Sequence, residues 1–94
     1  MKTIVLIIVV GLVGCATHGL DMRRQELTRQ GHPPAYIDGH VEGCSSGTAA
    51  AGNPYYRFAK NVQRFESDKL YVQGWNDGFA VCKSQYESTT RLLR

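Results

Sequence analysis

Two stretches of this chain set tyrosine and glycine at one spacing. Tyr36-x-x-Gly39-x-x-x-Gly43 matches Tyr71-x-x-Gly74-x-x-x-Gly78. Positions i, i+3 and i+7 share one face of an α-helix. Gly47 extends the first face and Cys82 the second, while Cys44 adjoins Gly43. Glycine inside a helix costs about 1 kcal/mol relative to alanine, so four at this spacing require compensation. Close helix contact supplies it, because a face without side chains lets a second helix approach below the usual ~8–10 Å. The same small-residue logic operates in membrane helices, but the Asp, Glu, Asn and Gln around these glycines exclude a span. A crossing at Gly39, Gly43, Gly74 and Gly78 brings Cys44 and Cys82 towards the ~5.5 Å Cα separation of a disulfide. Tyr36, Tyr71, Trp75 and Phe79 then pack around it. The alternative is that Gly39 or Gly43 ends a helix, which predicts a break between Asp38 and Gly47. A second alignment, Tyr36-Ile37-Asp38-Gly39 with Trp75-Asn76-Asp77-Gly78, has a different offset. The pattern therefore reads as a pseudo-repeat and not a duplication.

The start of the chain addresses compartment. Lys2 is followed by an unbroken apolar run from Ile4 to Gly14. It is shorter than the ~20 apolar residues of a membrane span and fits the apolar region of a secretory signal. It ends in Leu12-Val13-Gly14-Cys15, which resembles the lipobox of bacterial lipoproteins. A small residue before the cysteine leaves the backbone open to a peptidase, and the thiolate is the nucleophile that accepts a lipid. The resemblance implies cleavage after residue 14, a diacylglyceryl group on Cys15 and a fatty acid such as palmitate on its amine. Such an anchor exceeds the two lipid signals that stable membrane attachment takes. The alternative is an uncleaved anchor with an accidental cysteine. Ala16 and Thr17 stand where an aspartate, within that family, commonly retains the product at the inner membrane. The resemblance thus implies the outer membrane, facing the periplasm, with the inner membrane as the alternative.

After residue 14 the chain is long enough for one small domain, whose core is marginal without a staple. Residues 15–20 read as a lipidated linker and 21–94 as the domain. The formal charge of +3 over 94 residues includes Lys2, and the basic residues are scattered, which argues against nucleic acid. With Cys15 assigned to lipid, Cys44 and Cys82 remain as an even pair in an oxidising compartment. A Cys44–Cys82 disulfide is expected, closing a loop of about 38 residues worth ~4 kcal/mol. Free thiols and an intermolecular bridge are the alternatives.

The fold class expected is all-α, with three to four short helices. Asp21 caps a helix to Gln30 with a thin apolar stripe of Met22 and Leu27, and Gly31 with Pro33-Pro34 ends it. Pro34 starts a second helix that runs to the Gly52-Asn53-Pro54 loop signal. In "PYYRFAKNVQRF" the spacing of Tyr55, Phe58, Val62 and Phe65 predicts a third helix capped by Asn53. Ser67 or Asp68 starts the last. A sheet is the alternative, resting on glycine and aromatic content alone. The stretches "GWNDGFAVCK" and "DGHVEGCSSG" resemble a pattern in small bacterial envelope lipoproteins, over about two thirds of the chain after Cys15. That resemblance supports the fold and implies no activity.

Several side chains suggest chemistry. His40 and Cys44 stand at i, i+4, a metal-ligand spacing, with Cys82 as a third ligand and His18 or His32 as a fourth. No Cys-x-x-Cys pair accompanies them, and no metal or other cofactor is assigned. Ser45-Ser46 beside His40 lacks a nucleophile elbow. Asp38 and Glu42 read as a solvated helix edge, and no pair of acids shows the burial a general acid needs. "KSQYESTTRLLR" is amphipathic and basic, fitting either a membrane contact or a frayed helix end. The expectation is a non-enzymatic structural or interaction module. It is held to the membrane by lipid, faces an unidentified envelope protein, and works through Tyr55, Tyr56 and Trp75. The alternative is a small ligand or metal binder using His40, Cys44 and Cys82.

Overall fold

The computed structural model describes residues 15–93, with side chains from Gly19 onward. The signal assigned to residues 1–14 lies outside the described residues, as does Arg94. Four helices occupy the described range: α1 (Cys15–Arg29), α2 (Pro34–Ala50), α3 (Val62–Ser67) and α4 (Lys69–Leu92). No described residue belongs to a strand.

Local chemistry sets the helix ends. α1 and α2 both stop at a glycine with positive φ, Gly31 at 87° and Gly52 at 109°. Each is followed by the paired bonds of a Schellman cap. His32 N–H donates to Leu27 C=O and Gly31 N–H to Thr28 C=O; Asn53 N–H donates to Thr48 C=O and Gly52 N–H to Ala49 C=O. Pro34 occupies the first turn of α2, where no N–H is needed. Asn61 caps α3 by accepting from Arg64 N–H, and Asp68 caps α4 by accepting from Leu70 and Tyr71 N–H.

α2 is continuous through Gly39, Gly43 and Gly47, which rules out the glycine-broken alternative. It packs face to face on α4. Gly39, Gly43 and Gly47 of α2 lie against Tyr71, Trp75 and Phe79 of α4 in rising order, so the two helices run parallel. Parallel neighbours need a return connection. α2 is 17 residues long, about 25 Å at 1.5 Å per residue. A helix over Pro54–Phe65 would cover only about 18 Å. Extended chain covers about 3.3 Å per residue, and after the turns that end at Tyr56 the connection is neither turn nor helix from Arg57 to Asn61.

This corrects the third predicted helix, which survives only as Val62–Ser67. The stripe that suggested it is not a buried face, since Tyr55, Phe58 and Val62 are exposed. The first helix also differs. Its described part runs from Cys15, ahead of Asp21, so residues 15–20 are helix and not linker. Gly19 and Leu20 line the groove beside the disulfide. Leu27 is buried while Met22 is exposed.

The buried apolar set is small: Leu27, Ile37, Cys44, Tyr71, Trp75 and Cys82. Backbone contact between α2 and α4 replaces the side-chain layer that a helix pair usually buries. A Cβ added at Gly39 would meet Tyr71 C=O, and one at Gly43 would meet Trp75 C=O. Gly47 faces Phe79 C=O, Gly74 faces Tyr36 C=O and Gly78 faces His40 C=O.

Candidate functional site

The crossing has an internal two-fold relation. A shift of 35 residues takes Tyr36 to Tyr71 and carries Gly39, His40, Glu42 and Gly43 to Gly74, Trp75, Asp77 and Gly78. The contacts obey it. Gly39 meets Tyr71 as Gly74 meets Tyr36, and Gly43 meets Trp75 as Gly78 meets His40. The polar contacts obey it too: Tyr36 OH donates to Asp77 at 2.7 Å, and Tyr71 OH donates to Glu42 at 2.9 Å. The first sequence alignment is therefore the structural one, and the alignment of Tyr36 with Trp75 has no counterpart in these contacts. One turn further the symmetry gives way to a covalent bond. Gly47 lies against Phe79 on one side; the related pair on the other is Cys82 and Cys44, joined as a disulfide with Cα atoms 5.1 Å apart.

The return strap is bound by side chains that the sequence offered for chemistry. Ser45 Oγ donates to Arg57 C=O at 2.7 Å. Ser46 is fully buried. Its Oγ accepts from Ala59 N–H at 2.7 Å, and its proton serves the carbonyl of Glu42 or Ala59, both at 2.8 Å. Tyr71 OH accepts from Asn61 N–H at 2.8 Å. Residues 57, 59 and 61 thus turn their backbone inward at every second position, the period of extended chain. The intervening Phe58 and Lys60 lie over Trp75. Phe58 meets the indole edge-on at 5.7 Å, and Lys60 Nζ sits 4.1 Å from the ring centroids of both Trp75 and Phe65. Trp75 Nε1–H donates to Ala59 C=O at 2.8 Å, and the indole stacks on Phe79.

These contacts relocate several expected site residues. Trp75 is buried at the crossing and offers no surface, a correction to its place in the interaction set. Tyr55 is 82% exposed and Tyr56 half-buried. Cys44 and Cys82 are bonded to each other and supply no thiolates, and no group of three or more metal-ligating side chains occurs among the described residues. His32 stacks on Tyr36. Asp38 and Glu42 are not a merely solvated edge. Asp38 accepts from Arg24 at 2.8 Å and Arg64 at 3.1 Å, tying α1 and α3 to α2. Arg24, opposed by partial burial, holds the Asp38 carboxyl below its ordinary range.

Burial sets the remaining titrations. It pushes the Tyr36 hydroxyl up to about 12, helped by the bond to Asp77. It raises Tyr71 as well. His40 is buried and its Nδ1 has no hydrogen-bond partner. Burial, and then the cation of Arg23, holds its imidazole below the usual range, so it is neutral at pH 7. Comparison with family models, curated proteins and solved structures finds no match to this chain.

Proposed function

We propose that the chain is a lipid-tethered, non-enzymatic structural or interaction module of a bacterial envelope, outer membrane by preference and facing the periplasm. The observation that carries this reading is Leu12-Val13-Gly14-Cys15 at the end of a short apolar run. The fold agrees in kind: the domain is stapled by a bond that an oxidising compartment maintains. The non-enzymatic part rests on use. Ser45, Ser46, Glu42, Asp38 and Asp77 are engaged in holding the strap and the crossing. No helix of the described residues is long and apolar enough to cross a membrane.

Intact mass of the protein extracted from membranes tests the reading. The expected mass is that of the chain from Cys15 onward plus diacylglyceryl and one amide-linked acyl group. Two thiols become available to alkylation only after reduction. Cys15→Ser should leave the mass unlipidated and release the protein from the membrane fraction. An unmodified Cys15 in membrane-extracted protein would sink the tether.

A further inference from the structure

The helices place one end of the molecule beside Cys15. A groove of about 350 Å³ is lined by Gly19 and Leu20 of α1, Thr48 near the end of α2, Tyr56 after it, and Gln85 and Thr89 of α4. Cys15 stands one helical turn before Gly19, about 6 Å further along. The start of α1, the turn after α2 and the end of α4 therefore share an end. The opposite end carries Gly31, Pro33 and the cap of α4 at Asp68.

Large apolar and basic side chains gather at the Cys15 end. Tyr55, Leu92 and Leu93 are 82%, 87% and 82% exposed, the three most exposed of the large apolar side chains. Arg57 and Arg91 are exposed among them; of the acids nearby, Glu87 is paired with Lys83 and Asp21 of α1 is exposed. The other acids of α2, α3 and α4 lie towards the far half: Asp38, Glu42, Glu66, Asp68 and Asp77. Aromatic, aliphatic and basic groups together suit a bilayer interface, where tyrosine sits at headgroup depth and arginine meets anionic lipid.

We propose that this end is a foot that rests on the anionic membrane surface holding the lipid, so that the domain stands on the bilayer with the Asp68 end outward. The proposal rests on the tether proposed above. α4 extends beyond α2, so Leu92 and Leu93 reach past the groove to the same level as Cys15. The lipid and the foot then act as two linked contacts, each raising the effective concentration of the other.

The test uses the full acylated protein in vesicles of phosphatidylethanolamine and phosphatidylglycerol carrying a spin-labelled lipid. Amide signals of Tyr55 and of residues 91–93 should broaden several times more than those of Gly31, Asp68 and Lys69. The pair Leu92→Asp and Leu93→Asp, at exposed positions that leave the crossing intact, should abolish that difference while the acyl mass on Cys15 persists. Acylated protein with uniform or no broadening overturns the foot and leaves the tether standing. Slow amide exchange at the same residues without broadening assigns the face to a second copy of the chain and also overturns it. A chain without acyl groups overturns tether and foot together.

Discussion

At the scale of single residues, the glycines of the crossing and the glycine of α1 should respond with opposite sign. A Cβ at Gly43 would strike the backbone of Trp75, which cannot swing away as a side chain would. The gain in helix propensity of about 1 kcal/mol is smaller than the cost of forcing two backbones apart, about 3 kcal/mol or more. Gly43→Ala and Gly78→Ala should therefore lower Tm, read by circular dichroism. At Gly19 the nearest atom to an added Cβ is Tyr56 OH at 3.7 Å, an ordinary contact. Gly19→Ala should raise stability by up to about 1 kcal/mol. Equal effects at the three positions would refute a backbone-contact crossing. His40 gives a second residue-scale expectation. Burial disfavours its charged form, so the unfolded chain takes up a proton first as pH falls. Stability should decline on acidification below about pH 6.5, and His40→Gln should flatten that part of the profile. Asp38, held low by Arg24, adds a further loss nearer pH 4. Tyr36 acts at the other limit. Its folded value of about 12 exceeds the ordinary tyrosine value of 10, so stability is lost as pH rises from 10 towards 12.

At the scale of elements, the strap is the part least visible beforehand. Tyr55, Phe58, Val62 and Phe65 have helical spacing, yet only Val62 and Phe65 are in helix. The periodicity is local, whereas the need for extended chain comes from α2 and α4 running parallel, which no local spacing encodes. The role of Ser45 and Ser46 is hidden for the same reason, because their partners at Arg57 and Ala59 lie beyond any helical neighbour. By contrast, the Tyr-Gly-Gly faces and the Cys44–Cys82 pair were legible, since a glycine row inside a helix has few physical uses. Glu42 and Asp77 were visible as acids but not as partners of Tyr71 and Tyr36, which depends on the offset of the crossing. The strap makes a specific expectation. Ser46→Ala leaves the N–H of Ala59 without its buried partner, a loss of about 2 kcal/mol. Amide exchange should accelerate first at residues 57–61, ahead of α2 and α4. Loss of protection spread evenly over the domain would show that the strap and the crossing are one cooperative unit.

At the scale of the whole molecule, the question is what holds a fold with so few buried apolar side chains. Among the described residues six apolar side chains are buried, two of them the bridging cysteines. Close backbone packing adds many weak contacts, but the parallel pair remains open to separation at the end where α2 stops and α4 continues. The disulfide sits there, between Cys44 and Cys82, at a sequence separation of 38. In the chain-entropy account a loop of that length contributes about 4 kcal/mol, against the ~5–15 kcal/mol that is usual for the net stability of a domain. The crossing is thus held by glycine contact at its middle and by covalent closure at one end. Reduction, or Cys44→Ala with Cys82→Ala, should leave a chain whose urea midpoint is lower by the equivalent of about 4 kcal/mol. Combined with Gly43→Ala, the loss should exceed what the domain can bear, and helical ellipticity should fall at 37 °C. If the reduced protein keeps the midpoint of the oxidised form, the bond merely records a proximity that packing already guarantees, and the glycine crossing carries the fold without it.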